Sequence, residues 1–166
     1  MLWLRGALFT IAAPGLVAGF IPRWMAAGLA PRGGWWQCGW IPIAAGAAAY
    51  LVSLTAFLKA GGTPLIFFAR PARVVFGEEP PTLVRSGSYR FSRNPMYLGV
   101  VCAIFGQAIL YGSPSIAWYG AGVFLFFHAI VVWVEEPHLR RRDPAAFERL
   151  CREAPRWLGR RRRGVP

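Results

Sequence analysis

Arg90 and Arg93 stand just before Tyr97, and Glu135 and Glu136 stand at the far end of an uncharged stretch that opens at Asn94. Residues 87–99 read Gly-Ser-Tyr-Arg-Phe-Ser-Arg-Asn-Pro-Met-Tyr-Leu-Gly, polar and basic as far as Asn94 and apolar beyond it. Asn94-Pro95 is a helix start. An Asn side chain can accept from the first free amides, and a proline in the first turn has no amide to leave unpaired. The positive end of the helix dipole lies there, and Arg90 and Arg93 add to it, so the local field favours an anion. Tyr97 follows on roughly the same face, and Gly99 leaves room for close approach. Glu135 and Glu136 end a fully apolar helix, where carboxylates are costly unless paired or solvated, and two together suit a cation or a partner arginine.

The element that must bring these groups together is a membrane hairpin. No charged residue occurs from Asn94 to Val134, and only Gly112-Ser113-Pro114 breaks the run, which predicts crossings at 95–111 and 114–134. Both ends of that hairpin emerge on one side. The chain as a whole supports this reading, with 55% hydrophobic residues in long blocks and a mean hydropathy of +0.39. Two earlier crossings are expected at 6–22 and 33–58, the second carrying Ala44 to Ala49, a stretch suited to close helix packing. The first could also be a signal peptide, but a second hydrophobic block follows closely and favours a retained span. Residues 23–32 then form a short outer loop, with Trp24, Trp35 and Trp36 as interfacial anchors. The predicted fold class is all-α, a polytopic membrane helical bundle of four spans forming a single membrane domain over 1–166. It carries a loop over 59–94, with Leu65 to Phe68 in the interface, and a C-terminal tail. The tail reads as a short amphipathic helix through Ala145, Phe147 and Leu150, broken at Pro155.

Formal charge is +12 and almost wholly arginine, since Lys59 is the only lysine. Arg70, Arg73, Arg85, Arg90 and Arg93 precede the hairpin, and Arg140 to Arg142, Arg149, Arg152, Arg156 and Arg160 to Arg163 follow it. By the positive-inside rule both regions, and both termini, are cytoplasmic, as in a multi-pass protein of a bacterial-type inner membrane. Juxtamembrane arginine meets anionic lipid first, so nucleic acid is not the expected partner. Cys38, Cys102 and Cys151 are odd in number and widely spaced, which indicates neither a disulfide framework nor a metal site. His128, two helical turns before Glu135 on the same face, is either functional or packed against a neighbouring helix, and Gln107 has the same two readings. There is no dinucleotide fingerprint, P-loop, His-Glu-x-x-His or Gly-x-Ser-x-Gly.

Gly87 to Gly99, the hydrophobic hairpin, Glu135-Glu136 and then Pro155-Arg156-Trp157 resemble the isoprenylcysteine carboxyl methyltransferase and phospholipid methyltransferase superfamily. The resemblance runs from Thr82 to Trp157. It departs from the family at Ser88, where proline is frequent, and at Asn94, where histidine is common and where Asn cannot carry a proton. Phe147 and Cys151 stand where the family tends to show tyrosines. The resemblance implies an integral membrane enzyme using S-adenosylmethionine, with the cofactor between the last two crossings and the tail. It implies cofactor contacts from Tyr89, Arg93, Asn94, Pro95, Tyr97, Leu98, Gly99, Glu135 and Glu136. The cofactor's α-carboxylate suits the helix start near Arg93, and its ammonium and ribose hydroxyls suit Glu135 or Glu136. Arg90, Glu136 and Arg156 are implied at the catalytic centre, with Arg90 or Arg156 holding an anionic acceptor. The acceptor is expected to be a membrane lipid or lipidated group, a prenylcysteine carboxylate in the first instance. An ethanolamine head group and a small thiol are the alternatives. A membrane reductase or a non-catalytic protein on the same scaffold is the reading from a different class.

Overall fold

The computed structural model describes residues 1–63, 81, 83–84 and 87–158. The expectations for Leu65 to Phe68, for Arg70, Arg73 and Arg85, and for Arg160 to Arg163 lie outside the described residues. Among the described residues the longer helices are, in chain order, α1 (Leu2–Met25), α2 (Gly34–Lys59), α3 (Pro95–Tyr111), α4 (Pro114–Arg142) and α5 (Pro144–Glu153). There is no strand among the described residues. α1, α2 and α4 are each long and apolar enough to cross a membrane, and α3 is a shorter apolar helix of 17 residues. The architecture is an all-α polytopic membrane bundle.

Two pairs of glycines set the central packing. A Cβ on Gly46 of α2 would lie 2.4 Å from the carbonyl oxygen of Gly99 in α3, and a Cβ on Gly99 would lie 2.6 Å from that of Gly46. One heptad along, Gly39 and Gly106 repeat the arrangement at 2.5 and 2.7 Å. Between lipid-exposed helices there is no hydrophobic force to gain, so association depends on close backbone contact, which only small residues permit. The two helices therefore run antiparallel with their backbones in contact. The space that Gly99 leaves open is filled by α2, including Tyr50.

α1 joins this pair through its weakest stretch. Pro14 lies inside it, and from Ile11 to Phe20 the winding widens, so that the amide of Ile21 reaches back five residues to Leu16. Neighbouring helices supply donors to the carbonyls there: Gln107 Nε2 donates to Ala18 at 2.6 Å and Tyr119 Oη to Val17 at 2.9 Å. Gln107 is thus a packing group. Thr10 and Tyr50 share a hydrogen bond of 3.0 Å, and Leu58 lies against Gly6.

α3 ends at Gly112, whose φ of +57° is the left-handed conformation that glycine adopts without penalty, and the chain re-enters at Pro114. α4 widens once, from Val131 to Glu135, and the amide of Glu136 bonds to Val131. Pro137 explains this, because it has no amide to close an ordinary turn. α5 is capped by the Asp143 carboxylate, which accepts from the Ala146 amide at 2.9 Å, and buries Phe147 and Leu150. Alternating helix directions place Arg5, Lys59, the Gly87–Arg90 turn and the tail at one end of the bundle. Arg23, Arg32 and the Gly112 turn occupy the other, where the Arg32 amide donates to Leu110 at 2.9 Å.

Candidate functional site

Each predicted functional group on the α3–α4 hairpin lies at the tail end of the bundle, and the structure divides the two glutamates between different partners. Glu136 is half-buried and takes the fork of Arg156, Nε to Oε1 at 2.7 Å and Nη2 to Oε2 at 2.8 Å. Arg93 adds a third contact, Nη1 to Oε1 at 3.2 Å. A two-point guanidinium–carboxylate pair is strong and directional. The carboxylate in turn holds the Arg156 guanidinium even more firmly charged than usual.

Glu135, one residue earlier, turns elsewhere. Its carboxylate accepts from the Tyr97 hydroxyl of α3. Tyr97 stacks obliquely on Phe127, with centroids 4.5 Å apart. Tyr89, in the short turn Gly87–Arg90, is buried against Phe57, and burial together with the charge of Glu135 pushes its phenol well above the ordinary value. The result is a carboxylate flanked by two phenols and aromatic rings. That is a pole suited to an onium group, which both charge and ring faces attract.

The tail closes over the start of α3. The Arg93 amide donates to the Pro155 carbonyl at 2.9 Å, Asn94 Nδ2 to the Arg156 carbonyl at 2.9 Å, and Ser92 Oγ to the same carbonyl at 3.3 Å. Asn94 does begin the helix, with Pro95 in its first turn, but its side chain does not cap α3 as expected. The physical reason is competition: its amide nitrogen is a donor, and the tail carbonyl offers an acceptor, while its backbone amide is taken by Ser92 Oγ at 3.1 Å. Beneath the tail, Arg93 donates to Cys151 Sγ at 2.8 Å and lies over the Phe147 ring. Its Nε is buried without a hydrogen-bond partner among the described residues.

Of the residues predicted for the site, Tyr89, Tyr97 and Glu135 form one cluster, and Arg93, Asn94, Glu136 and Arg156 form a second beside it. Pro95 is buried at the helix start and Leu98 is half-buried. Gly99 faces α2, and Arg90 is exposed. His128 and Glu135 do not act as one face, because the widened turn lies between them: His128 accepts from Trp157 and Glu135 from Tyr97. Ser92, Phe147, Cys151 and Trp157 are contributors that spacing alone does not pick out. The sequence signals for them were the place of Ser92 within residues 87–99, the amphipathic pattern of the tail for Phe147, the family's tyrosine positions for Phe147 and Cys151, and Pro155-Arg156-Trp157 for Trp157.

S-adenosylmethionine carries a sulfonium, an ammonium, a carboxylate and ribose hydroxyls, and the donor set fits it. The Glu135–Tyr89–Tyr97 pole suits the cationic groups, and the orphaned Nε of Arg93 suits a carboxylate oxygen.

Among known proteins, the family model described as phospholipid methyltransferase matches residues 42–142, from the first turns of α2 to the last residue of α4. No curated protein and no solved structure matches the chain.

Proposed function

This chain belongs to the phospholipid methyltransferase family, and on that premise we propose that it transfers a methyl group from S-adenosylmethionine to the amine of a phospholipid head group. One observation favours an amine over the carboxylate acceptor expected first. The Arg156 fork, well placed to grip a carboxylate, is taken by Glu136, and the Nε that Arg93 keeps open is assigned to the cofactor's own carboxylate, which leaves neither arginine for an acceptor carboxylate. Beside them lies the acidic pole formed by Glu135 with the Tyr97 and Tyr89 phenols, whose charge and ring faces suit an ethanolamine-type ammonium.

Bound S-adenosylmethionine supplies a methyl group on a sulfonium, which leaves as a neutral thioether without an acid. The protein's own tasks are to orient, to exclude water and to take a proton. Glu135 accepts the proton that the ammonium must shed before its nitrogen can attack, and the Tyr97 hydroxyl holds the receiving carboxylate in place. Tyr89, buried and un-ionised, keeps the pole uncharged apart from Glu135. Arg93 would hold the cofactor's carboxylate through its unpartnered Nε. Glu136 and Arg156 fasten the tail across the helix start and keep water from the reacting groups. Arg90, exposed at the rim, is placed to meet the lipid phosphate. The site faces the cytoplasm, where the cofactor is made.

The test is transfer of labelled methyl from S-adenosylmethionine in nanodiscs containing phosphatidylethanolamine, with a prenylcysteine substrate as the competing acceptor. Label is expected in the lipid extract, and Glu135→Gln is expected to reduce it about a hundredfold. Label on the prenylcysteine alone would reverse the choice of acceptor. No transfer to either by the folded protein would overturn the reading.

A further inference from the structure

His128 is the one histidine inside α4 before Glu135, with Tyr119 the other ionisable side chain there. It accepts a hydrogen bond at Nδ1 from the indole Nε1–H of Trp157, at 3.0 Å. The same indole lies against Phe124, with centroids 5.1 Å apart. An indole nitrogen can only donate, so Nδ1 must be the bare nitrogen and the imidazole must be neutral, with its hydrogen on Nε2. Among the described residues His128 makes no ion pair. Its ring faces Phe124 on its own helix and Trp157 from the tail, both uncharged. The nearby ionisable groups are otherwise engaged: Arg156 by Glu136, and Glu135 by Tyr97 of α3.

Three successive residues thereby anchor the tail: Pro155 and Arg156 through their carbonyls on residues 92–94, the Arg156 side chain on Glu136, and Trp157 on His128. Trp157 is the outermost of these. We propose that His128 is a positioning residue that latches the tail when neutral and releases it when protonated, because an imidazolium has no lone pair for the indole to meet. The consequence for catalysis rests on the reading of the site given above. With the latch open, the tail keeps the Arg156–Glu136 ion pair and the carbonyl bonds to residues 92–94 but loses its hold at Trp157, and the cover over the cofactor site loosens.

The experiment is hydrogen exchange of tail amides 150–158 in the full-length protein in nanodiscs at pH 8 and pH 5, each normalised to intrinsic rates. Wild type is expected to be protected at pH 8 and to exchange about fivefold faster at pH 5, the worth of one hydrogen bond. His128→Asn retains an acceptor in the Nδ1 position and does not titrate, so its tail stays protected at both values. His128→Leu is loose at both. Amides of α3 report the fold in the same data, and if they lose protection in His128→Leu, Trp157→Phe removes the bond from the tail side and takes its place. The proposal is overturned if the variant lacking the bond keeps its tail protected as wild type does. It is overturned equally if His128→Asn loosens in acid as wild type does, since another group would then be titrating. In turnover at pH 8, His128→Leu raises the cofactor KM about fivefold with kcat kept, and His128→Asn restores it. Absence of turnover in every variant with the exchange pattern intact would reject the enzymatic reading and leave the latch standing.

Discussion

Glu135 and Glu136 are adjacent and identical in type, yet their neighbours give them opposite duties. Glu136 meets two guanidinium groups, and Glu135 accepts from the Tyr97 phenol; in the proposed reaction the first fastens the tail and the second faces the acceptor's ammonium. The two should separate cleanly in mutagenesis. Glu136→Gln leaves Arg93 and Arg156 facing a neutral amide, at a cost of about 2 kcal/mol. That is below the figure for a fully buried pair, because the Arg156 side chain is still 36% exposed. Denaturant unfolding of the nanodisc protein should show this loss, and Glu135→Gln should show little of it while reducing methyl transfer about a hundredfold. Tyr89 predicts a pH dependence. Its folded-state value lies well above 10.0, so the unfolded chain releases the proton first. The stability it lends is present below pH 10 and lost above it. Tyr89→Phe should unfold with a flatter dependence on pH in that alkaline range.

Helix packing puts these residues within reach of one another, and the glycine pairs decide it. Gly46→Ala places a methyl 2.4 Å from the Gly99 carbonyl, against backbone that cannot yield, so α2 and α3 must separate. Overpacking of this kind costs about 1–3 kcal/mol, and the shift of α3 should carry Tyr97 away from Glu135 and reduce turnover. Gly122→Ala in α4 is the matched control. Nothing lies within 4 Å of its added methyl, so it should retain activity and unfold no more easily than wild type. Measured side by side in thermal unfolding and in methyl transfer, the pair isolates close approach from helix propensity.

For the whole molecule, the arginines predict an orientation. The end that holds Glu135, Glu136 and the tail also gathers Arg5, Lys59, Arg90 and Arg140 to Arg142, while Arg23 and Arg32 lie at the other. The bundle should therefore sit with its tail in the cytoplasm. Two native thiols report this directly, since Cys38 and Cys151 are both exposed and lie at opposite ends. A membrane-impermeant maleimide should label Cys151 from the cytoplasmic face alone and Cys38 from the other face alone. The reversed pattern would refute the assignment of sidedness.

Hydrophobic blocks and helix starts were legible in the chain, because each is a local property of composition. The spans around 33–58, 95–111 and 114–134 appear as helices α2, α3 and α4. The gathering of Arg93, Tyr97, Glu135 and Glu136 followed from the hairpin alone. Pairing was different. Which glutamate takes the Arg156 fork depends on a turn widened by Pro137, and Asn94 reaches a carbonyl 62 residues away that no local pattern indicates. Gly99 serves α2 for the same reason, and so does the bond between His128 and Trp157. Residue types and membrane topology come from the sequence by itself, because lipid and dipole act on each segment separately. The partner of each polar group comes only from the tertiary structure, because a buried donor is satisfied by whatever distant acceptor the packed backbone brings to it.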